Sequence, residues 1–113
     1  MDAPAVVVSV RITASEDDVG RQLAALVDPV AAQPGCRRCQ LLRDAARPEQ
    51  VTILEEWETR SDMERHFRSQ EVWRLLLAAE LSAEPPEFRI DTLASSEGLE
   101  AVARSRSTDR GRA

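Results

Sequence analysis

With 113 residues the chain has room for one domain around one core, and not for two. Charged residues make up 31% of it and the formal net charge is −5; the fifteen basic residues, all arginine, are interleaved with acidic ones, so no nucleic-acid partner is expected. No run approaches the roughly eighteen apolar residues of a membrane span, and the N-terminus lacks a basic segment leading into an apolar one, so a cytoplasmic protein with no membrane partner is expected.

Residues 5–13, AVVVSVRIT, alternate, with Val6, Val8, Val10 and Ile12 on one face and Val7, Ser9 and Arg11 on the other, which predicts a first strand. Ser15 is placed to cap a helix whose first turn carries Glu16, Asp17 and Asp18, where the helix dipole favours negative charge. Val19, Leu23, Leu26, Val27 and Val30 then form a single apolar stripe. Pro29 removes a backbone donor, so the helix is expected to kink or end loosely before Pro34-Gly35 stops it.

Residues 36–44 alternate again and predict a second strand. The segment 45–50, with Pro48, reads as the turn of a hairpin, and Val51 to Trp57 as the third strand, with Val51, Ile53, Glu55 and Trp57 on one face. Ser61 followed by Glu64 reads as a capping box, starting a helix near Asp62 that carries His66, the only histidine of the chain. Ser69 offers a second cap, so this helical region is expected to break around residues 68–70. Val72, Leu75, Leu76 and Ala79 make its expected buried stripe, which Trp73, Leu77 and Leu81 widen. After Pro85-Pro86, a fourth strand over 87–93 sets Phe88, Ile90 and Thr92 against Arg89 and Asp91. The domain is drawn as 1–94. The tail, 95–113, has the makings of one short helix over Leu99 to Ala103, and its polar, arginine-rich end from Ser105 is expected to be disordered.

This order, βαββαβ, predicts an α+β ferredoxin-like fold: a four-stranded antiparallel sheet with the helices on one face. The other face mixes Val7 and other apolar side chains with polar ones, too apolar to stay wet and too polar for a core. Two copies packed sheet against sheet would cover it, which predicts a homodimer closing into a dimeric α+β barrel. Cys36 and Cys39 form a single C-x-x-C. That spacing suits a redox pair, half of a zinc site completed by His66 and a carboxylate, or two small apolar side chains. Because the pair leads into a strand and not onto a helix N-terminus, packing is the expected use, with no metal.

Pro34-Gly35-Cys36, Glu55-Glu56-Trp57 and MERHFRS at Met63 to Ser69, in that order and spacing, resemble the antibiotic biosynthesis monooxygenase family of dimeric α+β barrels over residues 5–93. The resemblance implies a small hydrophobic pocket between sheet and helices in each subunit. It also implies oxidation of a small aromatic substrate, a quinol or polyphenol, by O2 without flavin, metal or haem, the deprotonated substrate supplying the electrons. His66 matches the family's helix histidine, and histidine is the side chain that ordinarily titrates near neutrality, so it is the expected catalytic base. Trp57, Phe67 and Trp73 are expected as pocket walls, and Arg11, if it points inward, as the group that stabilises a phenolate.

Plainer roles stand beside these: a hydrogen bond from His66 to a carbonyl or carboxylate, core packing for Trp57 and Trp73, and cross-strand pairing of Arg11 with Glu55 or Asp91. Other family members degrade haem through three residues whose places fall at Val10, His66 and Leu76. None matches, so no haem ligand is expected. A monooxygenase ranks first, a non-catalytic small-molecule-binding or structural dimer second, and a thiol redox protein third.

Overall fold

The computed structural model describes residues 4–14 and 17–111, so the expected Ser15 cap lies outside the described residues. In chain order the elements are β1 (Val6–Thr13), α1 (Asp17–Ala31), β2 (Cys36–Arg43), β3 (Gln50–Trp57), α2 (Arg60–Phe67), α3 (Gln70–Glu80), β4 (Glu87–Thr92) and α4 (Leu99–Gly111). The strands form one sheet in the order β2-β3-β1-β4, with every neighbouring pair antiparallel. This is the expected ferredoxin-like arrangement.

Period-2 alternation fixes which face of the sheet is covered. Val6, Val8, Val10 and Ile12 of β1 lie opposite Trp57, Glu55, Ile53 and Val51 of β3. All eight are buried, and their apolar members share one core with Val19, Leu23, Leu26 and Val30 of α1 and Leu75, Ala78 and Ala79 of α3. Val7, Ser9 and Arg11 face the other way, opposite Glu56, Leu54 and Thr52.

Pro29 stands inside α1 without ending it, since the helix runs on to Ala31 and is followed by an amide bond from Ala32 to the Asp28 carbonyl. The helix ends at Ala31, and the chain turns into β2 at Gly35, whose φ of 84° is open to glycine and strained for other residues. A bulge at Arg37 shifts the β2–β3 register, so Cys36 faces Trp57 and Cys39 faces Glu55. The two thiols therefore sit on the same side of the sheet.

Two helix boundaries differ from the sequence reading. α2 is capped by Thr59 and not Ser61: the Thr59 hydroxyl accepts from the Asp62 amide (3.1 Å) and donates to the Asp62 carboxylate (2.9 Å). Thr59-x-x-Asp62 has the same pattern as Ser61-x-x-Glu64 two residues later, and the end of β3 at Trp57 selects the earlier one. The break before α3 falls where expected, with Ser69 accepting from the Val72 amide. At the C-terminus, α4 continues to Gly111, through a segment expected to be disordered. Its Leu99 and Val102 are exposed.

The expected buried stripe of α3 needs correction. Leu76 is 40% exposed and Ala78 takes its place inside, while Trp73, Leu77 and Leu81 are exposed as well. Phe88 and Ile90 pair with Val10 and Val8, so they share the helix-facing side of the sheet, yet both are exposed. β4 is an edge strand, and α1 to α3 leave its inward face open.

Candidate functional site

Among the described residues, the buried polar side chains with the least exposure, Glu55 and His66, come from β3 and α2. Strand alternation drives Glu55 inward between Ile53 and Trp57, and the helical turn from Met63 to His66 drives both of those side chains down onto it. Glu55, Trp57 and His66 are 1%, 0% and 2% exposed. Trp57 donates its indole N–H to Glu55 Oε1 at 2.9 Å. The His66 ring stacks on Trp57 with centroids 4.7 Å apart and planes 26° from parallel.

Each nitrogen of His66 faces a protein group. Nδ1 lies 2.8 Å from Gln33 Oε1 and 3.5 Å from Ser69 Oγ. Nε2 lies 3.3 Å from Glu55 Oε1, within ion-pair reach, but it is not aligned for a hydrogen bond and is left as a buried polar atom without one. An unsatisfied buried nitrogen costs about 1–3 kcal/mol and is uncommon in a settled core. Facing a carboxylate in a dry place, Nε2 is suited to taking up or releasing a proton, because Glu55 stabilises the charge that results.

The cysteines border this cluster. Burial pushes the Cys39 thiol up to about 12, with the Glu55 charge adding to the effect. Burial raises Cys36 as well, a backbone hydrogen bond at Arg38 only partly opposing the rise. Both are free thiols. Held in the neutral form, they are poor nucleophiles, which counts against thiol redox chemistry. Among the described residues no group of three or more His, Cys, Asp or Glu side chains is placed to hold a metal ion.

The residues predicted for the site are only partly brought together. Trp57 and His66 are in contact, and the half-exposed Phe67 ring stands 6.0 Å from His66. Trp73 is elsewhere: 61% exposed, it lines an open cleft of about 640 Å³ with Leu76, Ala79, Pro86 and Phe88. Its expected core-packing role is therefore not found. Arg11 lies on the opposite face of the sheet from Glu55 and pairs with Glu87 at 2.9 Å. Its register next to Val10 forbids an inward position, so neither the phenolate contact nor the pairing with Glu55 is available to it; Asp91 shares its face but lies opposite Val7 and pairs with Arg89.

The sequence reading named neither Glu55 nor Gln33 as a site residue. Glu55 carries a signal, a carboxylate on an otherwise apolar strand face. Gln33 carries none, since it stands in the loop after α1 and belongs to no periodic pattern.

The cleft and the buried cluster lie on the same side of the sheet but do not meet. The cleft reaches the sheet at Phe88, whose cross-strand row is Val10 and Ile53, one inward pair along from the Val8–Glu55 row, so it is separated from Glu55 by more than two strand spacings, about 10 Å.

Comparison with known proteins gives a consistent picture. The profile of the antibiotic biosynthesis monooxygenase family matches residues 5–75. No curated protein matches the chain. Among solved structures, a Nitrosomonas europaea protein named for antibiotic biosynthesis monooxygenase has a TM-score of 0.72 at 20% identity, covering 87% of this chain and 98% of its own. A variant of SnoaB, a cofactor-independent oxygenase from Streptomyces nogalater, has a TM-score of 0.70 at 20% identity, covering 83% and 97%. A Pseudomonas aeruginosa protein reaches 0.70 at 24% identity, covering 86% and 99%. At these identities the likeness shows the fold.

Proposed function

Because the chain belongs to the antibiotic biosynthesis monooxygenase family, we propose that it is a cofactor-independent monooxygenase that oxidises a small aromatic quinol or polyphenol with O2, acting as a cytoplasmic homodimer. The observation that carries this reading is the dry pairing of His66 Nε2 with Glu55 at 3.3 Å, on the same side of the sheet as a cleft lined by Trp73, Leu76 and Phe88 together with Glu80 and Glu84. At about 640 Å³ the cleft is in the range of small-molecule sites, and Trp73 and Phe88 offer aromatic faces to a ring. No helix of the described residues is long and apolar enough to cross a membrane.

The reaction balances as substrate-H2 plus O2 giving oxidised substrate plus water. Where the substrate reaches the buried imidazole, His66 Nε2 takes its first proton, and the anion so formed gives one electron to O2. The two radicals join in a carbon–oxygen bond, forming a peroxide. His66 returns its proton to the peroxide, and loss of the second substrate hydrogen with cleavage of the O–O bond then releases water and leaves a carbonyl. The protein contributes a proton acceptor, a carboxylate that stabilises the resulting charge, and exclusion of water from the peroxide. Arg11 has no part in this scheme.

A second reading is favoured by burial. With Glu55, Trp57 and His66 sealed and both imidazole nitrogens facing protein groups, the cluster also serves as a clamp of α2 onto the sheet. The protein is then a non-catalytic binder whose ligand occupies the cleft. The two readings separate by oxygen uptake on a panel of hydroquinones and polyphenols, with an anaerobic control and with binding followed by tryptophan fluorescence. A monooxygenase consumes oxygen, and His66→Ala lowers its rate by about a hundredfold or more while the variant still binds. Binding without uptake by the wild type leaves the binder.

A further inference from the structure

His66 is held at Nδ1 by a residue from a third part of the chain, and the orientation of that residue is set by its own partners. Gln33 presents its NH2 group to Glu71 Oε2 at 3.2 Å and to Ser69 Oγ at 3.5 Å. A carboxylate only accepts, so the NH2 end must face Glu71 and the amide oxygen must turn to His66, 2.8 Å from Nδ1. An amide oxygen also only accepts. Nδ1 must therefore carry a hydrogen.

We propose that Gln33 is the positioning residue of the Glu55–His66 site: it fixes a hydrogen on His66 Nδ1 and so reserves Nε2 as the atom that exchanges a proton. The assignment of the tautomer stands on geometry alone, and only its kinetic consequence rests on the monooxygenase reading.

The supporting scaffold is rigid. Ser69 caps α3, Glu71 lies in the first turn of α3, and Gln33 is tied to α1 by its amide bond to the Val30 carbonyl. Trp57 stacks against the ring and donates to the same Glu55 oxygen that faces Nε2. Without Gln33, a neutral imidazole gains more by placing its single hydrogen on Nε2, toward the Glu55 carboxylate, and then has no acceptor atom directed at a substrate proton. With Gln33, the step is available: a substrate O–H or C–H bond breaks, an Nε2–H bond forms, and the positive ring faces Glu55.

A single histidine makes the test direct. Protein labelled with ¹⁵N-histidine gives one pair of ring nitrogen signals, which distinguish hydrogen-bearing from bare nitrogens. In the wild type Nδ1 is expected in the hydrogen-bearing range. In Gln33→Met, which keeps the bulk and removes the acceptor, the hydrogen is expected to move to Nε2. Gln33→Glu, which restores an acceptor at that place, is expected to return it to Nδ1. A bare Nδ1 in the wild type, an unchanged tautomer in Gln33→Met, or a hydrogen on Nε2 alone in Gln33→Glu would each overturn the assignment. If Gln33→Met does not fold, the wild type and Gln33→Glu decide.

Where a substrate is turned over, Gln33→Met is expected to lower kcat at least about tenfold with KM little changed, as befits a group acting through the base. An equal fall in kcat/KM carried by KM would assign Gln33 to binding instead. Absence of turnover in the wild type counts against the monooxygenase and leaves the tautomer result intact.

Discussion

Gly35→Ala is the substitution whose cost can be worked most directly from the geometry. Gly35 has a φ of 84°, and a Cβ built there falls 2.6 Å from Asp62 Cβ and 2.2 Å from Asp62 Cγ. Asp62 cannot simply rotate away, because its Cβ is fixed by the α2 backbone and its carboxylate is engaged by Thr59 and Arg65. Left-handed backbone costs a non-glycine residue about 1–2 kcal/mol, and loss of a cap costs about 1 more. The reduced freedom of the unfolded chain returns about 0.4–1 kcal/mol. The net expectation is a loss of about 2 kcal/mol, read by urea unfolding, or a Tm lower by about 8 °C for a chain of this size. In an Asp62→Ala background the Cγ and Oδ2 contacts are gone and the Cβ contact at 2.6 Å remains, so the same change should cost less, by up to about 1 kcal/mol. Gly20→Ala supplies the opposite sign: it lies within α1, its Cβ would meet only the end of the Arg43 side chain at 3.4 Å, and alanine is the better helix former by about 1 kcal/mol. A Gly35→Ala protein within about 0.5 kcal/mol of wild type, or an equal cost in both backgrounds, would refute the packing argument.

Glu55→Ala leaves the buried Trp57 indole N–H without an acceptor and removes the carboxylate facing His66, and is expected to cost about 2–4 kcal/mol in denaturant unfolding. Glu55→Gln keeps an oxygen for Trp57 and should cost clearly less, so equal losses would remove the indole bond from the account. Alkylation at pH 8, followed by peptide mass analysis, should modify Cys36 well before Cys39, which is 9% exposed and whose thiol is pushed up to about 12. Because the folded state holds the Cys39 proton more tightly than the unfolded chain, its contribution to stability is complete below about pH 8.5 and declines as pH rises toward 12. A Cys39→Ala protein should therefore lose less stability than wild type between pH 8.5 and 10, and parallel curves would contradict the linkage.

The sheet was legible because strand alternation is a hard geometric constraint. Once Val6, Val8, Val10 and Ile12 were placed on one face, Arg11 had to lie on the other, and its contact with Glu87 follows from register. Alternation assigns a face without telling what covers it, and for that reason Phe88 and Ile90 share the core side and stay exposed. The α2 start was misplaced because two hydroxyl–acid pairs of equal spacing compete, and only the end of β3 chooses between them. Gln33 was illegible for a different reason. Its role depends on the meeting of three chain segments, at His66, Ser69 and Glu71, and no local pattern encodes that meeting.

The cluster itself argues against a purely structural purpose. A carboxylate at 1% exposure facing a histidine at 2% is an expensive way to fill a core, since desolvation of both groups offsets most of their attraction. Apolar groups of similar volume are often as stable or better. Combining Glu55→Gln with His66→Phe keeps the acceptor for the Trp57 indole, keeps a ring to stack on it, and removes both titratable groups. If the pair serves proton transfer, this double variant should unfold within about 1 kcal/mol of wild type or later, while oxygen uptake is lost. A loss of several kcal/mol would make the pair a structural clamp, and would move the site toward the binder reading.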